Sequence, residues 1–122
     1  MFKQVDYVMI VVSDMKRSVA FYRDVLGFPL KFQSDEWTEF KTGTTTIALH
    51  GGGAKTTFRP DRMDAGACTL GFYVKNIQKT YEELKKKGVK FVMSPTEREG
   101  EGIKLTVCLD PDGLPINIAE HV

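Results

Sequence analysis

The sequence predicts an α+β protein built from two copies of one β-α-β-β-β unit, and three observations carry that prediction. Residues 7–28, YVMIVVSDMKRSVAFYRDVLGF, read as a strand running into a capped amphipathic helix that stops at a glycine. Residues 69–89, TLGFYVKNIQKTYEELKKKGV, repeat this grammar. Val12-Ser13-Asp14-Met15 lines up on Val74-Lys75-Asn76-Ile77, and the same offset brings Tyr7 onto Thr69 and Ser18 onto Thr80. Each half then closes on a related strand, Thr45-Thr46-Ile47-Ala48-Leu49 in the first and Leu114-Pro115-Ile116-Asn117-Ile118 in the second. The period is too long for a solenoid, so this is a duplicated supersecondary unit.

Within the first copy, Tyr7 to Val12 is a near-continuous apolar, β-branched run that suits a buried strand. Asp14 caps the following helix, whose stripe is Met15, Val19, Tyr22 and Leu26, with Gly27 as its C′ residue. Lys16, Arg17, Arg23 and Asp24 form the solvated back of that helix. Phe28 to Gln33 alternates like a strand, Ser34-Asp35 turns the chain, and Glu36–Lys41 and Thr44–His50 pair around a turn at Thr42-Gly43.

Gly51-Gly52-Gly53 opens a polar segment reaching to about Gly66. It lacks the Lys-Ser/Thr ending and the helix of a phosphate-cradling loop, and reads as a flexible connector. Folded over a pocket as a lid, it would bring Arg59 or Arg62 to an anionic group. The expected organisation is one domain, 1–122, with a module at 1–50, a connector at 51–66 and a second module at 67–122.

In the second copy, Ala67–Val74 is a strand, Asn76–Lys87 a helix with the stripe Ile77, Tyr81 and Leu84, and Val89–Met93 a strand. Glu97–Gly102 is a charged turn before the strand Ile103–Leu109, and Asp110-Pro111-Asp112-Gly113 is a tight turn before Leu114–Glu120. Pro115 lacks an amide donor, so its strand is expected at a sheet edge or with an irregular start.

Composition bounds the function classes. At 42% hydrophobic and 27% charged, the chain can bury a core and shows no disordered tail. A net charge of +1 gives no global field for nucleic acid or an anionic membrane. Lys85-Lys86-Lys87 falls in the last turn of a helix, where cations suit the dipole. No apolar stretch is long enough to span a bilayer, and the opening MFKQVDYV runs into a strand rather than a signal peptide. Cys68 and Cys108 fit no metal or redox spacing and read as half-buried free thiols. A cytoplasmic protein is expected.

The two β-α-β-β-β halves, the SDMKRSVAFYRDVLGF opening, the WTEFKTGTTTIALH segment and the DPDGLPINIAE ending together resemble the glyoxalase/bleomycin resistance/dioxygenase superfamily, also called vicinal oxygen chelate proteins. The resemblance implies two curved sheets whose halves, from one chain or from two, cup a cavity, with homodimers usual. It also implies, for the enzymes, a divalent metal held by inward His, Glu or Gln side chains on the first and last strands of each half.

Carried over residue by residue, those positions fall on Tyr7, Ala48, Thr69 and Asn117. Alanine has no donor atom, a phenol is largely protonated at neutral pH, and Thr and Asn offer only neutral oxygens. No charge is left to hold a dication, so no cofactor is expected. A displaced site would use the two histidines, His50 and His121, which alternation places on the faces of Ala48 and of Asn117 and Ala119. Asp6 and Glu120 should point the other way. His50 could also serve as a general base.

If the cavity-facing positions keep their sense, Tyr7, Met9, Ala48, His50, Thr69, Tyr73 and Asn117 line an aromatic, uncharged pocket suited to a small molecule. Trp37 is a candidate lining residue too, although Trp37 and Phe40 differ in parity and sequence leaves their sense open. The functional reading is a metal-independent small-molecule binding protein, homodimeric, sequestering a planar or apolar ligand. The alternative is a divalent-metal-dependent lyase, isomerase or dioxygenase with displaced ligands. A third is a structural or regulatory dimer whose cavity is filled by its own side chains. Because bleomycin-binding members tend to be acidic and this chain is near neutral, bleomycin is not assigned as ligand.

Overall fold

Residues 1–55 and 62–122 are described by the computed structural model, whose chain divides into two units, Met1–Thr56 and Thr57–Val122. The first unit contains β1 (Tyr7–Val11), a helix α1 that begins at Met15–Val19 and continues as a π-helical segment Ala20–Val25, then β2 (Leu30–Phe32), β3 (Trp37–Thr42) and β4 (Thr45–His50). The second contains β5 (Leu70–Tyr73), α2 (Ile77–Lys86), β6 (Lys90–Arg98), β7 (Ile103–Leu109) and β8 (Pro115–His121). The α+β class and the doubled β-α-β-β-β order are as the sequence predicts.

The sheets share one topology. Their orders are β1-β4-β3-β2 and β5-β8-β7-β6, and in each the first strand lies parallel to the last while the other pairs are antiparallel. The repeat alignment is kept hydrogen bond by hydrogen bond. Met9 lies opposite Ala48 as Gly71 lies opposite Asn117. The Val12 amide donates to the His50 carbonyl at 2.9 Å, and the Val74 amide to the Ala119 carbonyl at 2.8 Å.

Each sheet buries the face that meets its helix. In the first unit Ile10, Val12, Phe40, Ile47 and Leu49 are buried with Val19, Phe21 and Tyr22, and the Tyr22 ring lies 5.8 Å from Phe28 and 6.1 Å from Phe40. Each such side chain contributes about 1.5–3 kcal/mol of transfer free energy. In the second unit Leu70, Cys108, Ile116 and Ile118 are buried with Ile77 and Leu84. Asp14 and Asn76 cap the two helices by accepting the Arg17 and Lys79 amides at 3.1 and 3.0 Å. Glu120 turns to the helix side, as parity requires, and its Oε1 accepts the Ile77 amide at 2.8 Å.

Several details depart from the sequence expectation. The first helix is not α-helical to its end: the Leu26 amide donates to the Phe21 carbonyl, five residues back, at 2.9 Å. The wider turn spans Ala20–Val25, where Phe21 and Tyr22 are buried, and Ser18 and Val19 are buried in the α-helical turn before it. Pro115 opens a central strand, not an edge; as its first residue it needs no ladder donor. Strand β6 runs through to Arg98, well beyond Met93, with register shifts that accommodate Pro95. The cysteines are not alike, Cys68 being exposed and Cys108 buried.

Two of the three glycines that open the segment are hydrogen-bonded to the first unit. The Gly51 amide donates to the Glu36 carbonyl at 2.9 Å and the Gly53 amide to the Val12 carbonyl at 3.0 Å. A Cβ at Gly51 would lie 2.8 Å from the Asp35 carbonyl oxygen, and one at Gly53 would lie 2.6 Å from Val11 Cγ1. These glycines let the chain pass close against β1 and the β3 entry. Arg59, named above as a lid residue, lies outside the described residues, and Arg62 is exposed and paired with Asp64.

Candidate functional site: an aromatic face on the first sheet

The face of the first sheet turned away from α1 is open. Alternation from the observed register places Tyr7, Met9 and Val11 on it from β1, Thr46, Ala48 and His50 from β4, and Trp37, Glu39 and Lys41 from β3. Tyr7, Met9 and Val11 are 59%, 47% and 55% exposed, a contiguous apolar strip of the kind that marks a binding surface. This resolves the parity question: Trp37 belongs to the open face, and Phe40 is fully buried on the helix side.

Ala48 sits at the middle of this face yet is fully buried. Tyr7 and Trp37 stand diagonally across it, their Cα positions about 16 Å apart by strand geometry. Their rings nevertheless meet edge to face with centroids 6.3 Å apart, so both lean inward over the small side chain. His50, opposite Trp37, continues the cluster at 6.2 Å.

Glu39, directly opposite Ala48, supplies the polar element that sequence reading missed. Its Oε2 accepts the Trp37 Nε1–H at 2.8 Å, and its Oε1 lies 3.5 Å from Lys31 Nζ. The Trp37 hydrogen bond holds this carboxyl below its ordinary pKa; desolvation opposes that, and the Lys31 charge assists. Lys31 Nζ also donates to Thr46 Oγ1 at 3.1 Å. Counting back across the Gly43-Thr44 loop from the Thr42–Thr45 pair sets Glu39 against Ala48, so the hairpin register was the available signal. His50 Nδ1 lies 2.7 Å from the Gly51 carbonyl oxygen. A carbonyl only accepts, so Nδ1 carries the proton in this contact.

The corresponding face of the second sheet is sparser. Gly71 and Tyr73 from β5 share it with Asn117, Ala119 and His121 from β8. Tyr73 and His121 stack with centroids 4.1 Å apart and 19° between planes. His121 is held in β8 opposite Ile103 rather than fraying. Thr69, expected on the strand, instead precedes it and is exposed.

The profile of the Glyoxalase/Bleomycin resistance protein/Dioxygenase superfamily matches residues 4–118. The chain belongs to this superfamily. Among its relatives is the Bacillus subtilis protein YraH, 31% identical over 91% of this chain and 93% of YraH. The crystal structure of virulence protein STM3117 from Salmonella typhimurium superposes with a TM-score of 0.75 at 27% identity, covering 100% of this chain and 99% of that one. A probable chloroplastic lactoylglutathione lyase from Arabidopsis thaliana is 31% identical over 87% of this chain and 32% of its own length.

Superfamily enzymes carry a divalent metal, so the donor set can be tested against one. At the four corresponding positions Ala48 offers no donor and lies beneath the Tyr7 and Trp37 rings, while Tyr7, Thr69 and Asn117 bring neutral oxygens. The nearest carboxylate, Glu39, is already bonded to Trp37 and Lys31. Among the described residues no three His, Cys, Asp or Glu side chains converge as a metal site. These residues do not fit the metal. No helix among them is long and apolar enough to cross a membrane.

Proposed function

We propose that this superfamily member binds a small planar organic molecule without a metal ion, acting as a cytoplasmic homodimer that sequesters its ligand. The observation that carries the reading is the ring cluster of Tyr7, Trp37 and His50 around Ala48, with the Glu39 carboxylate fixed at its edge. Flat apolar surface with a few fixed polar groups is what small-molecule recognition requires. Tyr73 and Asn117 offer stacking and hydrogen bonding on the face of the second sheet, with Thr69 just ahead of β5.

A second reading is favoured by the lactoylglutathione lyase relatives: a metal-dependent lyase, isomerase or dioxygenase with displaced ligands, His50 Nε2 and His121 being the candidates. Elemental analysis of untagged protein, paired with thermal-shift titration of nickel, zinc, manganese and iron(II), decides between them. The proposal expects no bound metal and no ion-specific rise in melting temperature. Near-stoichiometric metal, lost in His50→Ala, would establish the second reading instead.

A further inference from the structure

The open face of the first sheet is polarised. At the end away from His50, Thr46 has one ammonium group bonded to it and a second lysine beside it on the neighbouring strand. Lys31 Nζ donates to Thr46 Oγ1 at 3.1 Å, and Lys41 is the cross-strand partner of Thr46 on the same face. Tyr7 is the partner of Thr46 on the other side, so a phenol and a hydroxyl border the same spot. The carboxylate this face supplies there is Glu39, 3.5 Å from Lys31 and already accepting from Trp37. Two lysines share this end of the face with one carboxylate, and Glu39 and Thr46 together orient the Lys31 ammonium, which carries three donors.

We propose that the ligand of this face is a planar organic anion, an aromatic carboxylate, with its head at Thr46 between Lys31 and Lys41 and its ring against Tyr7 and Trp37. The proposal rests on reading this face as a small-molecule site and adds the ligand's charge and orientation. Ammonium-to-carboxylate hydrogen bonds are charge-assisted, and rings that exclude water beside them strengthen the attraction. A planar cation would meet the surplus positive charge at the same end and is disfavoured.

Trp37 is the single tryptophan, so its indole N–H gives one resolved proton–nitrogen resonance that reports on the cluster directly. The experiment titrates isotope-labelled protein with benzoate, benzamide and benzamidine, which share a ring and differ in charge. Benzoate should shift the indole resonance saturably and bind about tenfold more tightly than benzamide, the worth of roughly one charge-assisted hydrogen bond. Benzamidine should bind weakest. Lys31→Met and Lys41→Met, both at exposed positions, should each bring benzoate towards benzamide while leaving benzamide unchanged. Benzamide or benzamidine binding as tightly as benzoate, or a benzoate preference untouched in both variants, overturns the anion assignment and leaves the aromatic site standing. Saturable binding of none of the three overturns the small-molecule site itself.

Discussion

The two halves keep one backbone plan and have exchanged their contents. Phe40 and Cys108 occupy the same place, opposite Ile47 and Ile116 on the helix-facing side of each sheet. The first half fills that place with a ring and groups Tyr22, Phe28 and Phe40 into an aromatic core. Its helix opens into a π turn, whereas α2 is regular. On the open faces the polar group has changed strands: Glu39 faces Ala48 in the first half, and Val107 faces Asn117 in the second. Likewise Trp37 faces His50 where Leu105 faces Ala119. Duplication preserved the ladder, which needs only backbone, and left the side chains free to concentrate chemistry on one sheet.

The largest expected effect tests the two cores. Phe40→Ala should cost about 3–5 kcal/mol, because it empties a fully buried ring site. Cys108→Ala, the matching change, should cost about 1 kcal/mol, since it removes one sulfur atom. Urea unfolding of both variants measures the ratio, and equal costs would show that the halves are not packed differently. Next come the glycines. Gly51→Ala sets a Cβ against backbone, 2.8 Å from the Asp35 oxygen, and should cost about 1–3 kcal/mol. Gly71→Ala, whose nearest neighbour is Asn117 Cβ at 4.0 Å, should stay within about 0.5 kcal/mol of the parent.

What the sequence revealed follows from what each feature depends on. The order of elements along the chain, the two caps and the repeat register were legible because they rest on apolar periodicity and on Asp14 and Asn76, local signals that survive without tertiary context. The π turn was not, because nothing local in residues 20–25 distinguishes a hydrogen bond five residues back from one four residues back. Tyr7 and Ala48 were placed on the open face by the family resemblance, and His50 by alternation from Ala48. Glu39 was within reach of the β3–β4 hairpin register and was missed because that register was not counted, whereas Lys31 enters through β2–β3, where a shift between Leu30 and Phe32 breaks simple parity. The glycines at 51 and 53 were misread because composition reports flexibility while close approach is a property of the neighbours.

A smaller effect compares the helices. Ser18 and Thr80 align in the repeat, yet the Thr80 hydroxyl donates to the Asn76 carbonyl at 3.1 Å. The Ser18 Oγ is fully buried and has no partner among the described residues. An unpaired buried hydroxyl is a liability, so Ser18→Ala should be neutral or raise stability by up to about 1 kcal/mol, and Thr80→Ala should lower it. A loss on Ser18→Ala in urea titration would mean that the hydroxyl is satisfied after all.

The smallest effect is a titration confined to one sheet. Glu39 has its pKa lowered below the ordinary value of about 4.5, chiefly by the Trp37 N–H. A carboxyl with a depressed folded pKa adds stability that is fully present above its unfolded value and is lost as pH falls through its folded value. The Trp37 indole resonance should therefore show an acid step with a midpoint below the ordinary carboxyl range. Glu39→Gln should abolish that step and flatten the acid limb of the stability profile. The second sheet, with Val107 in the equivalent place, has no group there to titrate. An indole midpoint at or above the ordinary carboxyl value would mean that the hydrogen bond does not hold Glu39 ionised, and the main electrostatic contrast between the two faces would fall with it.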